Sequence, residues 1–185
     1  VDQFHTEEYF ITKLQDILEE TVNQQLRSDV PLGTYLSGGI DSSLVTIMAS
    51  KLLNKSIKSF SGAFTEGPEF NELEYARIAA KTANAELFEI FPTEQEFIDL
   101  IPNLIYHLDE PVAGPGLFPQ YIVSKLASKH VKVILGGQGG DEIFGGYTRY
   151  IVAYLEQALK GALFESSQEA EHIVSLESIL PNLPS

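Results

Sequence analysis

One short segment of the sequence combines the residue types that hold a phosphate group. Residues 36–43 read LSGGIDSS. The two glycines lack a Cβ, so the backbone can bend tightly and approach an anion, and the serines add hydroxyl donors. A helix that begins near Ser42 would point its free N–H groups and the positive end of its dipole at the same anion. An isolated Ser-Gly-Gly can also be a simple tight turn, but the following Asp-Ser-Ser favours a phosphate-binding loop.

Two carboxylates are better suited to a cation than to the phosphate itself. Asp41 repels a phosphate directly but suits a Mg²⁺ ion that bridges to it. A second glycine-rich segment, residues 136–140, precedes Asp141 and Glu142. Asp141 could share the same metal from the opposite side. An acidic pair alone is also typical of the first turn of a helix, so the magnesium prediction depends on both loops together.

Strands and helices alternate along the chain, and this order brings both loops to one edge of a sheet. Short apolar stretches predict four strands, at 33–36, 57–64, 85–91 and 131–135. Helical spacing of apolar residues predicts helices between them and one before the first, with N-caps at Thr6, Asn71 and Thr93. The predicted fold class is therefore α/β, a parallel sheet with helices on both faces and a preceding N-terminal helix. Ligands bind such sheets at the carboxyl ends of the strands.

Composition excludes several classes of protein. The net charge of −14 disfavours binding to nucleic acid or to anionic lipid, and no apolar run approaches the ~20 residues that span a bilayer. The chain has no cysteine, which excludes disulfides and thiolate sites within it and fits a cytoplasmic location. We expect one domain over residues 1–165 and a weakly patterned tail over 166–185. Because the sequence starts at Val1 without a Met, we expect a piece of a longer protein.

The two glycine-rich loops together resemble a known family. Residues 36–43 resemble the pyrophosphate loop of the ATP pyrophosphatase (PP-loop) superfamily, whose members split ATP into AMP and pyrophosphate while adenylating a substrate. Residues 136–147, GGQGGDEIFGGY, resemble the second motif of the glutamine-hydrolysing asparagine synthetase family. The resemblance covers about residues 10–150 and implies the synthetase domain of that family, with an adenine nucleotide alpha hydrolase-like fold and with ATP and Mg²⁺ as cofactors.

The resemblance also implies roles for individual residues and a reaction. A carboxylate, that of aspartate in this family, would attack the α-phosphate of ATP, and ammonia would then displace AMP to give asparagine. The ammonia would come from a Cys-initiated glutaminase domain outside this chain. The implied pyrophosphate ligands are Ser37, Gly38, Gly39, Asp41, Ser42 and Ser43, the implied Mg²⁺ ligands are Asp41 and Asp141, and the implied adenosine contacts are Tyr35, Gly62, Gly136 and Gly137.

The sequence departs from the family where the acceptor would bind. Well-known members carry Ser at position 136 and a carboxylate at 138, whereas this chain has Gly136 and Gln138. Gln138 is thus the candidate catalytic position, although an amide cannot act as a general base. The family's acceptor-reading Thr and Arg have no match in residues 109–116, and its late lysine lies beyond the matched segment. The alternatives are an amide ligase acting on another carboxylate and a nucleotide-binding module without catalysis; a homodimer is one option for the assembly.

Overall fold

A parallel four-stranded sheet forms the centre of the fold. The computed structural model describes residues 4–64, 72–109, 114 and 116–164. The strands lie in the order β3-β2-β1-β4, and each neighbouring pair is parallel. The strands are β1 (Leu32–Tyr35), β2 (Lys58–Gly62), β3 (Glu86–Ile90) and β4 (Val133–Leu135). The helices are α1 (Glu7–Gln25), α2 (Ile40–Leu53), α3 (Leu73–Thr82), α4 (Glu94–Leu108), α5 (Leu117–Ala127), α6 (Gly140–Phe144) and α7 (Thr148–Phe164).

Apolar clusters cover both faces of this sheet. On one face, Leu36 packs with residues of α3 such as Ala76, while Ile57 packs with Ala49 of α2 and Val22 of α1. On the other face, Phe60 packs with residues of α5, among them Val123 and Ala127. Strands that are covered on both sides by helices are the expected form of a parallel sheet. The predicted α/β class, including the helix that precedes the sheet, is confirmed.

Helix α2 reaches the sheet through small side chains and not through its large apolar ones. Its buried residues are Ser42, Thr46, Ala49 and Ser50. Leu44 is 40% exposed and Ile40 is 85% exposed, so two large apolar side chains of this helix remain accessible to solvent. Small residues on the inner face let the helix backbone approach β1 closely, which carries the start of α2 to the end of that strand.

The predicted helix starts are borne out where the structure describes them. Thr6 accepts a hydrogen bond from the Tyr9 N–H at 3.3 Å, and Thr93 forms a full capping box with Glu96. The predicted cap at Asn71 lies outside the described residues, and α3 is described from its N-cap Glu72. Helix α4 continues through Pro102. No described helix is long and apolar enough to cross a membrane.

The chain divides into two compact units, Val1–Gly137 and Gln138–Ser185. The first holds the whole sheet together with α1 to α5, and the second holds α6 and α7. The predicted tail at 166–185 lies outside the described residues. The two candidate loops are therefore described one unit at a time.

Candidate active site

The phosphate loop lies between the last residue of β1, Tyr35, and the first residue of α2, Ile40. Gly38 adopts a φ of 100°, which L side chains rarely adopt. A Cβ on Gly38 would also collide with the Glu72 carbonyl and lie 2.9 Å from the Ala76 nitrogen. Only glycine therefore fits position 38, because the first turn of α3 packs directly against the loop.

In contrast to position 38, position 39 does not require a glycine for the fold. Its φ is −66°, and a Cβ placed there would meet nothing closer than Ser37 Oγ at 3.4 Å. Gly39 is the N-cap of α2 and offers no side-chain acceptor to the first N–H groups of the helix. These groups have no partner inside a helix, so they stay available to an anion at the carboxyl end of β1.

The loop serines hydrogen-bond to one another. Ser42 Oγ lies 2.9 Å from Ser37 Oγ, accepts from the Ser37 N–H at 3.2 Å and donates to the Gly39 carbonyl at 3.2 Å. The Gly39 N–H in turn donates to Ser37 Oγ at 3.2 Å. Ser42 is only 8% exposed, whereas Ser43 is half-buried on the same turn. The Ser42 hydroxyl therefore shapes the loop from within.

The structure brings one further carboxylate to this loop. Glu72, the N-cap of α3, has its Oε2 4.0 Å from the position of a Cβ on Gly39. From the sequence, Glu72 belongs to a segment that reads as a loop and helix cap, with contact to the substrate side as the alternative. Its place beside the loop comes from the packing of α3 against α2, which no local pattern encodes. Anion binding here has to overcome two nearby carboxylates, those of Asp41 and Glu72.

Three of the four residues predicted to contact adenosine, Tyr35, Gly62 and Gly136, lie on the opposite face of the sheet. The register places Tyr35 beside Phe60 and Thr34 beside Leu135, so Gly136 follows next to Tyr35. A Cβ on Gly136 would lie 3.6 Å from Tyr35 Cδ2, and a Cβ on Gly62 would lie 2.7 Å from Val123 Cγ2. Position 136 therefore has room for a side chain, whereas position 62 requires glycine unless Val123 moves.

The Tyr35 ring is held at its far end. Tyr35 Oη lies 2.7 Å from Ser124 Oγ on α5. Ser124 Oγ donates its one proton to the Gln120 carbonyl at 2.5 Å, so Tyr35 must be the donor in the first bond. The ring thus forms a fixed wall between β1 and α5. Ser124 is a residue of this site that the sequence did not single out.

The exit of β4 supports the phosphate loop from behind. A Cβ on Gly137 would lie 2.6 Å from the Ser42 nitrogen and 2.8 Å from Asp41 Cβ. The backbone of Gly137 therefore touches the first turn of α2. All of the residues predicted to contact the nucleotide, from Tyr35 to Gly137, lie at or beside the carboxyl ends of β1, β2 and β4.

The second loop is described within its own unit. Gly139 and Gly145, at φ 97° and 69°, bound the short helix α6. The Asp141 carboxylate lies against Gly146, where a Cβ would overlap it. The Tyr147 hydroxyl donates to Glu142 Oε1 at 2.9 Å, which lowers the pKa of Glu142 and raises the pKa of Tyr147. Gln138 is exposed at the start of this unit, and its catalytic role stays a prediction.

The predicted metal ligands belong to different units. Asp41 lies in the first and Asp141 in the second. Among the described residues, no group of three His, Cys, Asp or Glu side chains could hold a metal ion. Mg²⁺ usually keeps several waters and is bound by one or two carboxylates together with substrate phosphates. The assignment of Asp41 and Asp141 as Mg²⁺ ligands stays a prediction.

Comparison with known proteins places this geometry in a family. The profile of the asparagine synthase family matches residues 13–178. The chain belongs to this family. Over 144 residues it is 40% identical to asparagine synthetase [glutamine-hydrolyzing] 1 of Bacillus subtilis, a match that covers 78% of this chain and 22% of that protein. It is 31% identical over 148 residues to asparagine synthetase B of Escherichia coli K12, which covers 73% of this chain and 27% of that protein.

The fold is shared with a solved structure outside the asparagine synthase family. An NH3-dependent NAD synthetase from Campylobacter jejuni superposes with a TM-score of 0.51 at 14% identity, covering 92% of this chain and 90% of that one. This likeness confirms the predicted α/β fold, and the profile match confirms the predicted family. Because the chain spans between 22% and 27% of the length of the two relatives, their whole activity passes to it only as a proposal.

Proposed function

We propose that this chain is the ATP-binding part of an ATP-dependent amide ligase of the asparagine synthetase type. The observation that carries the proposal is the loop at 36–43. It has a glycine at φ 100°, a free helix N-terminus and no Cβ at Gly39, and all three lie at the carboxyl end of a parallel strand. Such an arrangement binds the phosphates of a nucleotide. In this proposal the loop holds the pyrophosphate of ATP, and adenosine lies along Tyr35, Gly62 and Gly136.

The reaction we propose is the adenylation of a carboxylate, aspartate first among the candidates, followed by amidation. The acceptor oxygen bonds to the α-phosphorus, and the bond from that phosphorus to the pyrophosphate breaks. Ammonia then forms the amide and AMP leaves. The N–H groups at the start of α2 stabilise the charge that builds on the departing pyrophosphate. Mg²⁺, held by Asp41 and Asp141, would neutralise part of that charge when bound.

Gln138 gives this proposal its alternative. Its amide can donate and accept hydrogen bonds but cannot remove a proton, so we assign it an orienting role at the family's carboxylate position. Together with Gly136, it favours a second candidate, an amide ligase of the same type that acts on a carboxylate other than aspartate. From the sequence alone, we also propose that a glutaminase domain outside this chain supplies the ammonia, that the location is cytoplasmic and that the assembly is a homodimer.

Calorimetry of the chain with Mg²⁺-ATP and with Mg²⁺-pyrophosphate tests the nucleotide site. We expect Asp41→Ala and Asp141→Ala each to weaken binding at least tenfold, because each removes a ligand of the metal that accompanies the phosphates. Asp16→Ala, which removes the same charge from the exposed surface of α1, is the control and should bind as the wild type does. Unaltered binding in both site variants would contradict the metal assignment.

Exchange of labelled pyrophosphate into ATP, measured on the full-length protein with a panel of carboxylates, tests the acceptor. We expect aspartate to give the fastest exchange. Exchange with another carboxylate and none with aspartate would establish the second candidate. Nucleotide binding without exchange on any carboxylate would leave a binding module and overturn both ligase proposals.

A further inference from the structure

A chain of buried hydroxyl groups lies beneath the phosphate loop. Thr34, Thr46 and Ser59 are each 0% exposed. Thr34 Oγ1 lies 2.8 Å from Ser59 Oγ and 3.0 Å from Thr46 Oγ1. Thr46 Oγ1 also donates to the Ser42 carbonyl at 2.8 Å. The chain therefore runs from β2 through β1 to the first turn of α2.

Every hydroxyl of this buried group has a partner. Thr46 Oγ1 is the donor both to Thr34 Oγ1 and to the Ser42 carbonyl, so these two acceptors share its one proton, and the remaining bond joins Thr34 and Ser59. A buried hydroxyl without a partner is costly, so the loss of one link leaves its neighbours unsatisfied. The arrangement holds Thr46, and with it the backbone of Ser42, in one position.

Ser42 transmits that position to the phosphate loop. Its carbonyl is held from below by Thr46, while its side chain holds Ser37 and the Gly39 carbonyl from within the loop. A valine at position 46 would fill nearly the same volume but would leave the Ser42 carbonyl without this second bond. Packing alone would then let the first turn of α2 rotate or slide, and the N–H groups that face the anion would move with it.

We propose that Thr46 is a positioning residue, which aligns the first turn of α2 for the pyrophosphate through the buried chain of Thr34 and Ser59. This inference rests on the proposed function, because it concerns the same phosphate site. Thr46 contacts no ligand position itself. Tyr35 and Gly62, which we propose contact adenosine, lie on the other face of the sheet. Their alignment therefore does not depend on the buried hydroxyl groups.

The test measures the binding of two ligands, Mg²⁺-pyrophosphate and adenosine, to two variants of the protein, Thr46→Val and Thr46→Ser. We expect Thr46→Val to weaken Mg²⁺-pyrophosphate binding by about threefold to tenfold, because the first turn of α2 loses a neutral hydrogen bond that aligns its N–H groups. Adenosine binding should stay unchanged. Thr46→Ser keeps the hydroxyl and should restore the pyrophosphate affinity. Calorimetry gives both affinities, and thermal unfolding gives the stability of each variant.

Several outcomes would overturn the inference. Pyrophosphate binding of Thr46→Val at the wild-type level would do so, as would an equal loss for both probes, which indicates general damage. If Thr46→Val does not fold, a triple variant that adds Thr34→Val and Ser59→Ala also removes the hydroxyl groups that the first substitution leaves without partners. We expect this variant to show the same selective loss of pyrophosphate binding. A wild-type chain that binds neither ATP nor pyrophosphate would instead refute the proposed function, and this inference with it.

Discussion

Two adjacent glycines in the phosphate loop are present for different reasons. Gly38 has a φ of 100° and presses against the backbone of Glu72 and Ala76, so the fold itself requires it. Gly39 has ordinary helical-start geometry, and a Cβ there would make only van der Waals contact, with Ser37 Oγ at 3.4 Å. Without that Cβ, an anion can approach the N–H groups of α2 more closely. A glycine that the fold does not need is thus an indication of ligand binding.

Substitution of these glycines separates folding from binding. We expect Gly39→Ala to fold with a melting temperature near that of the wild type and to bind Mg²⁺-pyrophosphate at least tenfold more weakly. Gly39→Val should abolish binding. Gly38→Ala should lose about 1–3 kcal/mol of stability, because alanine is strained at this φ. Thermal unfolding measures the stability of each variant, and calorimetry measures its affinity for Mg²⁺-pyrophosphate. If Gly39→Ala binds this ligand as tightly as the wild type does, the anion does not approach α2 past Gly39.

At the scale of elements, α3 holds its place by packing and by one ion pair. Leu73, Ala76 and Ala80 are buried against the sheet. On its exposed side, the Arg77 guanidinium forms two bonds to Glu89 of β3, at 2.7 and 2.8 Å. These bonds lower the pKa of Glu89 and raise the pKa of Arg77. Helix α3 matters for the site because its first turn borders Gly38.

The Arg77–Glu89 pair predicts a specific pH dependence of stability. A folded pKa below the ordinary value of 4.5 means that the pair stabilises the fold above about pH 4.5 and that this contribution is lost as the pH falls through the lowered pKa. Glu89→Gln should therefore melt below the wild type at neutral pH, and the difference should shrink as the pH falls below about 4.5. The size should be small, because Arg77 is largely exposed.

Glu86→Gln is the control for this pair. It removes the same charge from an exposed position on the same strand. Thermal unfolding of the three proteins across the pH range gives the comparison. If the difference between Glu89→Gln and the wild type does not vary with pH, the link between α3 and β3 is not this ion pair.

At the scale of the whole molecule, charge opposes the proposed ligand. The chain carries a net charge of −14, and a free polyphosphate is repelled by such a field. The loop contributes N–H dipoles but no lysine or arginine, and Glu72 adds a carboxylate beside it. We therefore expect binding of pyrophosphate to depend on a cation that arrives with it.

Removal of the metal tests this dependence. We expect the affinity for pyrophosphate to fall at least tenfold when EDTA replaces Mg²⁺, because the full charge of the anion then faces Asp41 and Glu72. Adenosine is the matched control, since it carries no charge and should bind equally in both buffers. Equal pyrophosphate affinity with and without Mg²⁺ would show that the backbone N–H groups suffice.

Local features of this protein were within reach of its sequence. The four strands, the caps at Thr6 and Thr93 and the loop at 36–43 are all encoded by neighbouring residues, through periodicity and capping chemistry. The strand ends shifted by one or two residues, as fraying and assignment allow. The family also followed from short motifs. The placement of nearly all residues predicted to contact the nucleotide follows from the order of strands and helices along the chain, because parallel strands present their carboxyl ends at one edge of the sheet.

Only the tertiary structure decided which side chains support the site. Thr34 meets Ser59 and Tyr35 meets Ser124 across 25 and 89 residues of sequence. Such pairs depend on the register of β1 against β2 and on the helix that covers each face, and a shift of one residue would turn every side chain to the other face. The place of Glu72 beside Gly39 depends on packing in the same way. Sequence patterns are local, whereas these contacts are fixed by the close packing of elements that are distant along the chain.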